Sequence, residues 1–328
     1  MAHQIEVRNG IASFAYAGET PWHSLGQKVE GDATKCAHKF AEAANMNWSV
    51  RKSPLYTRDE NGEYQVTSDS FAVIRDVDNK YLGTVGPQWE PIQPIQAIQQ
   101  FQPVVDSGSA TYETLGSLRD GRSIFCLAKI NAGQEEVVKG DPINRYCLVS
   151  TSFDGTQATR FGFTNIRVVC ANTLALAHDK NTAGNKLLRI KHHKNQMDVI
   201  SKIRDIMVLA TQEFQATMEQ YRFLAKSKIV NKKDLVEYVT KALDVEVDPN
   251  GNVHPRSANR ITEIVKLTYE GIGAELAEGT WWSAYNAVTE HLSHHAGRNA
   301  DTRYYSLWFG QGADVNKRAL NLALQVAN

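Results

Sequence analysis

The sequence predicts an α+β fold, a β-rich N-terminal part followed by a helical C-terminal part. Three observations predict it. Strand-like alternation dominates from about Trp48 to Cys170 and is punctuated by the turn pairs Asp78-Asn79, Asp120-Gly121 and Asp154-Gly155. Helical periodicity takes over after about Ala171. Two helical stretches bracket the first three strands, giving a helix-βββ-helix core. The division this suggests is a β-rich core domain over 1–180 with a βββα-like element, and a mostly helical region over 181–328 packed on it or extending from it.

The elements follow in order. Ala33–Asn45 has helical patterning. WSVRKSPLYTR alternates and runs into the turn Asp59-Glu60-Asn61-Gly62, and FAVIRDV and KYLGTVGPQW flank Asp78-Asn79 as a hairpin. Pro91–Val105 carries Ile92, Ile95, Ile98 and Phe101 at spacings of three, which predicts a helix. ATYETLGSL and RSIFCLAKI flank Arg119-Asp120-Gly121, and RYCLVSTSF and QATRFGFTNIRVVC flank Asp154-Gly155. A helix is expected to begin near Asn172, with Asn172 or Thr173 as its cap. Met197–Lys226 has one amphipathic face along a long helix. Further helices are predicted at Lys232–Leu243, Ser257–Glu270, Thr280–His295 and Val315–Ala327, with a turn cluster at 248–252.

Composition narrows the function classes. The 328 residues hold 36 Lys plus Arg against 36 Asp plus Glu, a formal net charge of zero, which excludes a histone-like polycation but not a local basic surface. The four cysteines, Cys36, Cys126, Cys147 and Cys170, form no CxxC pair, so neither a disulfide-dense secreted domain nor a zinc ribbon is expected. The first residues carry Glu6 and Glu19 without a continuous apolar core, so no signal peptide is expected. No stretch approaches the roughly 20 apolar residues of a membrane span. The expectation is a protein of the cytoplasm with no membrane partner.

Catalytic motifs are thin. There is no GxxxxGK[ST] loop and no GxSxG elbow. Cys170 lies at the expected strand-to-helix transition, where a helix N-terminus lowers a thiol pKa, yet no base is defined for it. Glu290-His291-Leu292-Ser293-His294-His295 puts His291 and His295, and Glu290 and His294, at i,i+4 on a helix. The Glu precedes the first His, whereas in HExxH it follows, so a polar helix end is the plainer reading. Asp141 and Glu135-Glu136-x-x-Lys139 read as a solvated loop. No catalytic residue, metal ligand or cofactor is expected.

Basic stretches carry the most physical signal. Lys186, Arg189, Lys191, Lys194, Lys202 and Arg204 are opposed only by Asp198, with His192 and His193 among them. Arg222, Lys226, Lys228, Lys232 and Lys233 form a second group. Such clusters neutralise phosphates in a sequence-independent, salt-sensitive way. Counter-charges folded in from elsewhere would cancel them equally well. Trp281, Trp282, Tyr285, Arg298, Arg303, Tyr304, Tyr305, Trp308 and Phe309 interleave aromatic and cationic groups near the C-terminus, a pattern that suits core packing or base stacking.

Several segments taken together resemble a known family. Tyr81–Ile92 (YLGTVGPQWEPI) is similar to its "G-x-V-s-x-x-Y-x-p-i" segment, with Trp89 as a departure. Ser152-Phe-Asp-Gly-Thr is similar to its "s-h-D-G-s" turn, with Phe153 at the His position. Arg167–Leu174 (RVVCANTL) matches its "R-V-V-C-x-N-T-L" segment, Arg189–His192 its basic "i-x-H" element, and Gly279–Glu290 its "G-T-x-x-x-x-x-N-A-v-t-e" block. These resemble, in order and over about Trp22 to Ala319, the phage/plasmid-like family built on domain of unknown function 932. The resemblance implies a gene of phages or plasmids and supplies no catalytic residue. The helix-βββ-helix order is also similar to the core of phage single-strand annealing proteins, a fold-level analogy that implies rings or filaments holding single-stranded DNA in a basic groove.

The expected function is therefore non-catalytic DNA binding in phage or plasmid replication or recombination, with annealing of single strands by a homo-oligomer, ring or filament, in the host cytoplasm. Lys186, Arg189, Lys191, His192 and Lys194 are the expected backbone contacts, with Arg51, Lys52 and Arg75 on the early strands as secondary candidates. The alternatives are a host-takeover or anti-defence interaction protein with no nucleic-acid role, and a metal-dependent nuclease using the Glu290–His295 helix.

Overall fold

A computed structural model describes residues 5–18, 24–131, 135–167, 172–174, 188–192, 203–296, 306–307 and 310–328. The chain opens with a small hairpin, β1 (Val7–Arg8) and β2 (Ile11–Ala12), then β3 (Phe14–Tyr16) and β4 (Gln27–Lys28). A 3-10 turn at Gly31–Lys35 leads into α1 (Ala37–Ala43). Strands β5 (Val50–Arg58), β6 (Tyr64–Arg75) and β7 (Tyr81–Val85) pair antiparallel in that order as a three-stranded sheet. The expected helix over Pro91–Val105 is two helices, α2 (Pro94–Gln99) and α3 (Gln102–Asp106). Pro103 causes the break. Inside one helix it would remove a hydrogen bond and clash with the preceding turn, whereas in the first turn of α3 it costs nothing.

Next come β8 (Ala110–Leu118), β9 (Ser123–Ile130), β10 (Glu135–Glu136), β11 (Pro142–Ser152), β12 (Thr159–Arg167), β13 (Asn172–Leu174) and β14 (Leu188–Ile190). They form one sheet in the order β13-β12-β11-β9-β8-β3-β4, with β10 paired to β11 and β14 to β12. The hairpins fall where Asp-Gly signals them. Arg119, Asp120 and Gly121 all take positive φ, as does Gly155. The expected helix start at Asn172 is not found. Asn172–Leu174 is a strand that pairs antiparallel with Asn165–Arg167 of β12, so the backbone there is committed to the sheet. Cys170 lies outside the described residues.

Helices α4 (Ile203–Lys226), α5 (Lys232–Ala242), α6 (Pro255–Glu270), α7 (Trp281–Glu290) and α8 (Gln311–Ala327) follow, α7 continuing into a single π-helical turn at His291–His295. Asn231 caps α5 by accepting the Lys233 N–H, and Thr280 caps α7 in a reciprocal box with Ser283. The chain is thus mixed α+β, with strands concentrated in its N-terminal half and helices in its C-terminal part.

Three apolar clusters hold these layers. One face of the large sheet, including Leu115, Ile124, Cys126, Cys147, Val149 and Phe161, packs under α1, α2 and the three-stranded sheet through Phe40, Ile98, Phe101, Trp48 and Val73. The other face contributes Phe14, Leu118, Phe125, Leu127, Tyr146 and Leu148. The helical layer is built on Met218, Tyr221, Tyr238, Ile264, Trp282, Tyr285 and Leu320, and reaches the sheet through Val137 and Ile143. Burial, with a smaller contribution from Cys147, raises the thiol pKa of Cys126, and burial pushes that of Cys147 up to about 12 against the opposing charge of Arg145.

The junction overturns one expectation. Asp141 is fully buried and accepts a 2.8 Å hydrogen bond from the Trp282 indole, and Glu135 pairs with Arg222 at 2.8 Å. A segment with the composition of a solvated loop is the clamp between sheet and helices. No helix among the described residues is long and apolar enough to cross a membrane.

Candidate nucleic-acid interface

Several segments singled out by the sequence converge at one end of the large sheet. Strand β7 passes so close to the β11–β12 turn that a Cβ on Gly83 would stand 2.5 Å from the Asp154 Cα. Asp154 fixes the turn by accepting the Thr156 N–H at 3.1 Å and its hydroxyl at 2.6 Å, and it pairs with Arg119 at 2.7 Å.

Beyond β7 the chain reaches Trp89, whose indole stacks on the His192 imidazole with ring centroids 4.9 Å apart. The Glu90 N–H donates to the His192 carbonyl at 3.1 Å, and His192 Nδ1 lies 3.2 Å from the Glu90 carbonyl oxygen. A carbonyl only accepts, so Nδ1 carries the proton. Nε2 faces the Thr151 hydroxyl at 3.3 Å and the Thr159 hydroxyl at 3.4 Å. Lys52 closes the loop from the other side. Its Nζ donates to the carbonyls of Pro87 (2.7 Å) and Trp89 (2.9 Å), lies 3.7 Å from the Glu90 carboxylate and sits over the Phe71 ring.

The expected phosphate contacts divide accordingly. Arg189 and Lys191 are exposed, while Ile190 and His192 between and after them are buried. Arg189 and Ile190 belong to β14 and Lys191 and His192 follow its end, so the two cations reach solvent while the histidine anchors the segment. His192 is therefore corrected from a backbone contact to a buried support. Arg51 is exposed on β5, with Asn79 at 3.4 Å. Lys52 is half-buried and holds the Trp89 loop. Lys186 and Lys194 lie outside the described residues.

Arg75 is the second correction. It is only 1% exposed and pairs with Glu6 and Asp78, at 2.6 Å each, with Trp48 under its guanidinium. The Arg75 guanidinium, bonded to Asp78, holds that carboxyl below the usual carboxylate range. A guanidinium this far out of water, bonded to two carboxylates, is not exposed to meet a phosphate.

The histidine helix faces a carboxylate on α6. Glu263 of α6 puts one oxygen 3.4 Å from His291 Nδ1 and the other 3.5 Å from His295 Nδ1. The two rings lie nearly parallel, their centroids 6.3 Å apart. Glu290 is buried and its carboxylate accepts the Ile272 N–H at 3.0 Å. Among the described residues no group of three His, Cys, Asp or Glu side chains is placed to hold a metal ion. Arg260, Glu263, His291 and His295 line part of a cavity of about 510 Å³ beside α8. The second basic group is partly consumed, Arg222 by Glu135 and Lys228 by the Glu278 carbonyl. Trp281, Trp282 and Tyr285 are core residues.

The fold and this end of the sheet define an α+β protein in which a Trp–His stack fixes a short basic strand at the surface. A profile of the family described as Domain of unknown function (DUF932) matches residues 81–308, and the chain belongs to that family. The match spans β7, the Asp154 turn, the Trp89–His192 stack and most of the helical layer. No curated protein and no solved structure matches the chain.

Proposed function

We propose that this chain is a non-catalytic single-stranded-DNA-binding protein of phage or plasmid replication or recombination, which anneals strands as a homo-oligomer, a ring or filament. The observation that carries the reading is the exposure of two cations at and just after the end of β14. Arg189 lies on β14 and Lys191 in the first position after it, two residues apart, and both side chains are exposed while Ile190 and His192 are buried. Neither side chain is used for packing. Arg189 is held by the pairing of β14 with β12, and Lys191 sits between that strand and the Trp89–His192 stack, so little ordering entropy is lost on binding. Contacts of this kind grip the backbone and leave the base edges open for pairing.

The test is a titration of single-stranded DNA at several salt concentrations, with no metal added. Binding should weaken steeply as salt rises. Replacing Arg189 and Lys191 with Gln should leave the melting curve unchanged and make the log–log salt slope shallower by about 0.7 per lost contact. A wild-type chain that binds no single-stranded DNA even at low salt overturns the proposal.

A further inference from the structure

The β5–β6 hairpin reaches beyond the sheet to which it belongs. Strand β7 pairs only with Phe71–Ile74 of β6, so the distal half of the hairpin has two strands and no third among the described residues. A two-stranded ribbon is marginal in water unless something supports it. Local polar bonds supply part of that support. Asp59 accepts the N–H groups of Asn61 and Glu63, each at 2.9 Å, and Thr67 donates to the carbonyls of Leu55 and Ser70.

The register sorts the side chains of this arm by face. Tyr56 pairs with Val66 and Arg58 with Tyr64, and alternation puts these four on one side. The Arg58 guanidinium lies over the Tyr64 ring at 6.0 Å and its Nε donates to the Gly62 carbonyl at 3.1 Å, which confirms the shared face and fixes the cation. Thr57 and Gln65 pair one position along and point the other way, together with Asp59 and Glu63, whose backbones also pair. Asp59 Oδ2 lies 3.4 Å from Gln65 Nε2, consistent with that side. Tyr56 is 58% exposed, Tyr64 73% and Val66 59%. One face of the arm thus presents two open aromatic rings and a cation, while the carboxylates Asp59 and Glu63 are on its back.

That separation selects the occupant. A second copy docking face to face would bury one cationic face against another, with the Asp59 and Glu63 carboxylates of both copies turned away. A partner that is anionic and flat suits two tyrosines and an arginine with no acid among them. We infer that this face is a base-stacking platform for single-stranded nucleic acid, an inference that rests on the binding function proposed above and extends it to the arm. Stacking uses the faces of the bases and leaves their pairing edges open, so the platform is compatible with annealing. Arg51 and Lys52 lie at the root of the same strand, and Arg51 is exposed there to meet backbone leading onto the arm.

The experiment compares the full chain with Tyr56→Ser, Tyr64→Ser and the double variant. The probes are an oligodeoxythymidine and an abasic strand of equal length, each titrated at two salt concentrations. Wild type should prefer the base-bearing strand. Each single variant should lose about fivefold or more in affinity for it, the lower bound of stacking one base on an aromatic ring. The double variant should bind the two strands almost equally, with the salt slope of wild type, because no phosphate contact is removed. Exposed positions on a ribbon tolerate serine, and a melting curve verifies this. A folded double variant that still prefers the base-bearing strand overturns the inference while leaving the Arg189 and Lys191 result standing. A double variant that changes oligomeric mass but not strand preference overturns it in favour of self-association. Absence of binding by wild type overturns both readings.

Discussion

Trp89 stacks on His192 with ring planes 21° from parallel, and this contact joins the loop after β7 to the end of β14. Because the Glu90 N–H and the His192 carbonyl bond beside it, the pair works as a latch on the segment that carries Arg189 and Lys191. Trp89 is half-buried, so Trp89→Ala should cost about 2 kcal/mol, less than the 3–5 kcal/mol of a fully buried large aromatic. A urea titration measures this. Amides of β14 should exchange faster in the same variant, since their strand loses its terminal anchor.

Gly83 faces backbone rather than a yielding side chain. Its added Cβ would meet the Asp154 Cα at 2.5 Å and Cβ at 2.8 Å. Either β7 or the β11–β12 turn must shift, and the turn is pinned by the Arg119–Asp154 ion pair. Gly83→Ala should therefore destabilise by about 1–3 kcal/mol. Thermal or urea melts check it, with Gly86→Ala as a control because no atom lies within 4 Å of a Cβ there.

Arg75 tests the correction to its role. Glu6 is 3% exposed and relies on Arg75 at 2.6 Å and the Ser117 hydroxyl at 2.9 Å. Arg75→Met removes the counter-charge and leaves a buried carboxylate, which should cost about 3–5 kcal/mol in a urea titration. Adding Glu6→Gln should recover part of that loss, because the stranded charge is then gone. The salt slope of DNA binding, measured where the variant is folded, should match wild type. A shallower slope would return Arg75 to the set of phosphate contacts.

These residues show what the sequence could and could not reveal. Hairpins were legible because alternation and Asp-Gly turns are local signals, and the long helices because their apolar spacing is local too. The apolar Ile190 beside Arg189 also hinted at the division at β14, an inward residue next to an outward one. Arg75 was not legible as buried, because its partner Glu6 belongs to a distant segment. The same is true of Asp141, whose acidic surroundings suggest a loop until Trp282 covers it. The strand at Asn172–Leu174 was hidden because capping residue types also fit short extended segments. Three residues are too few for periodicity to decide.

His291 supplies the pH prediction. Burial is the main cause that lowers its pKa below the usual histidine value of 6.5. Glu263 pulls the other way, and Arg260 and His295 add to the lowering. The folded chain thus holds His291 neutral in a range where the unfolded chain has begun to protonate it. Where the unfolded state binds more protons, stability rises with pH. The effect is absent above the unfolded pKa, and stability falls as pH drops from about 6.5 toward the lower folded value. His291→Gln removes this proton site and keeps a polar side chain beside Glu263. The urea midpoint of wild type should fall between pH 7.5 and pH 5.5 by more than that of the variant, the other histidines being common to both. Equal falls would mean that His291 titrates alike in both states, and that Glu263 fully offsets its burial.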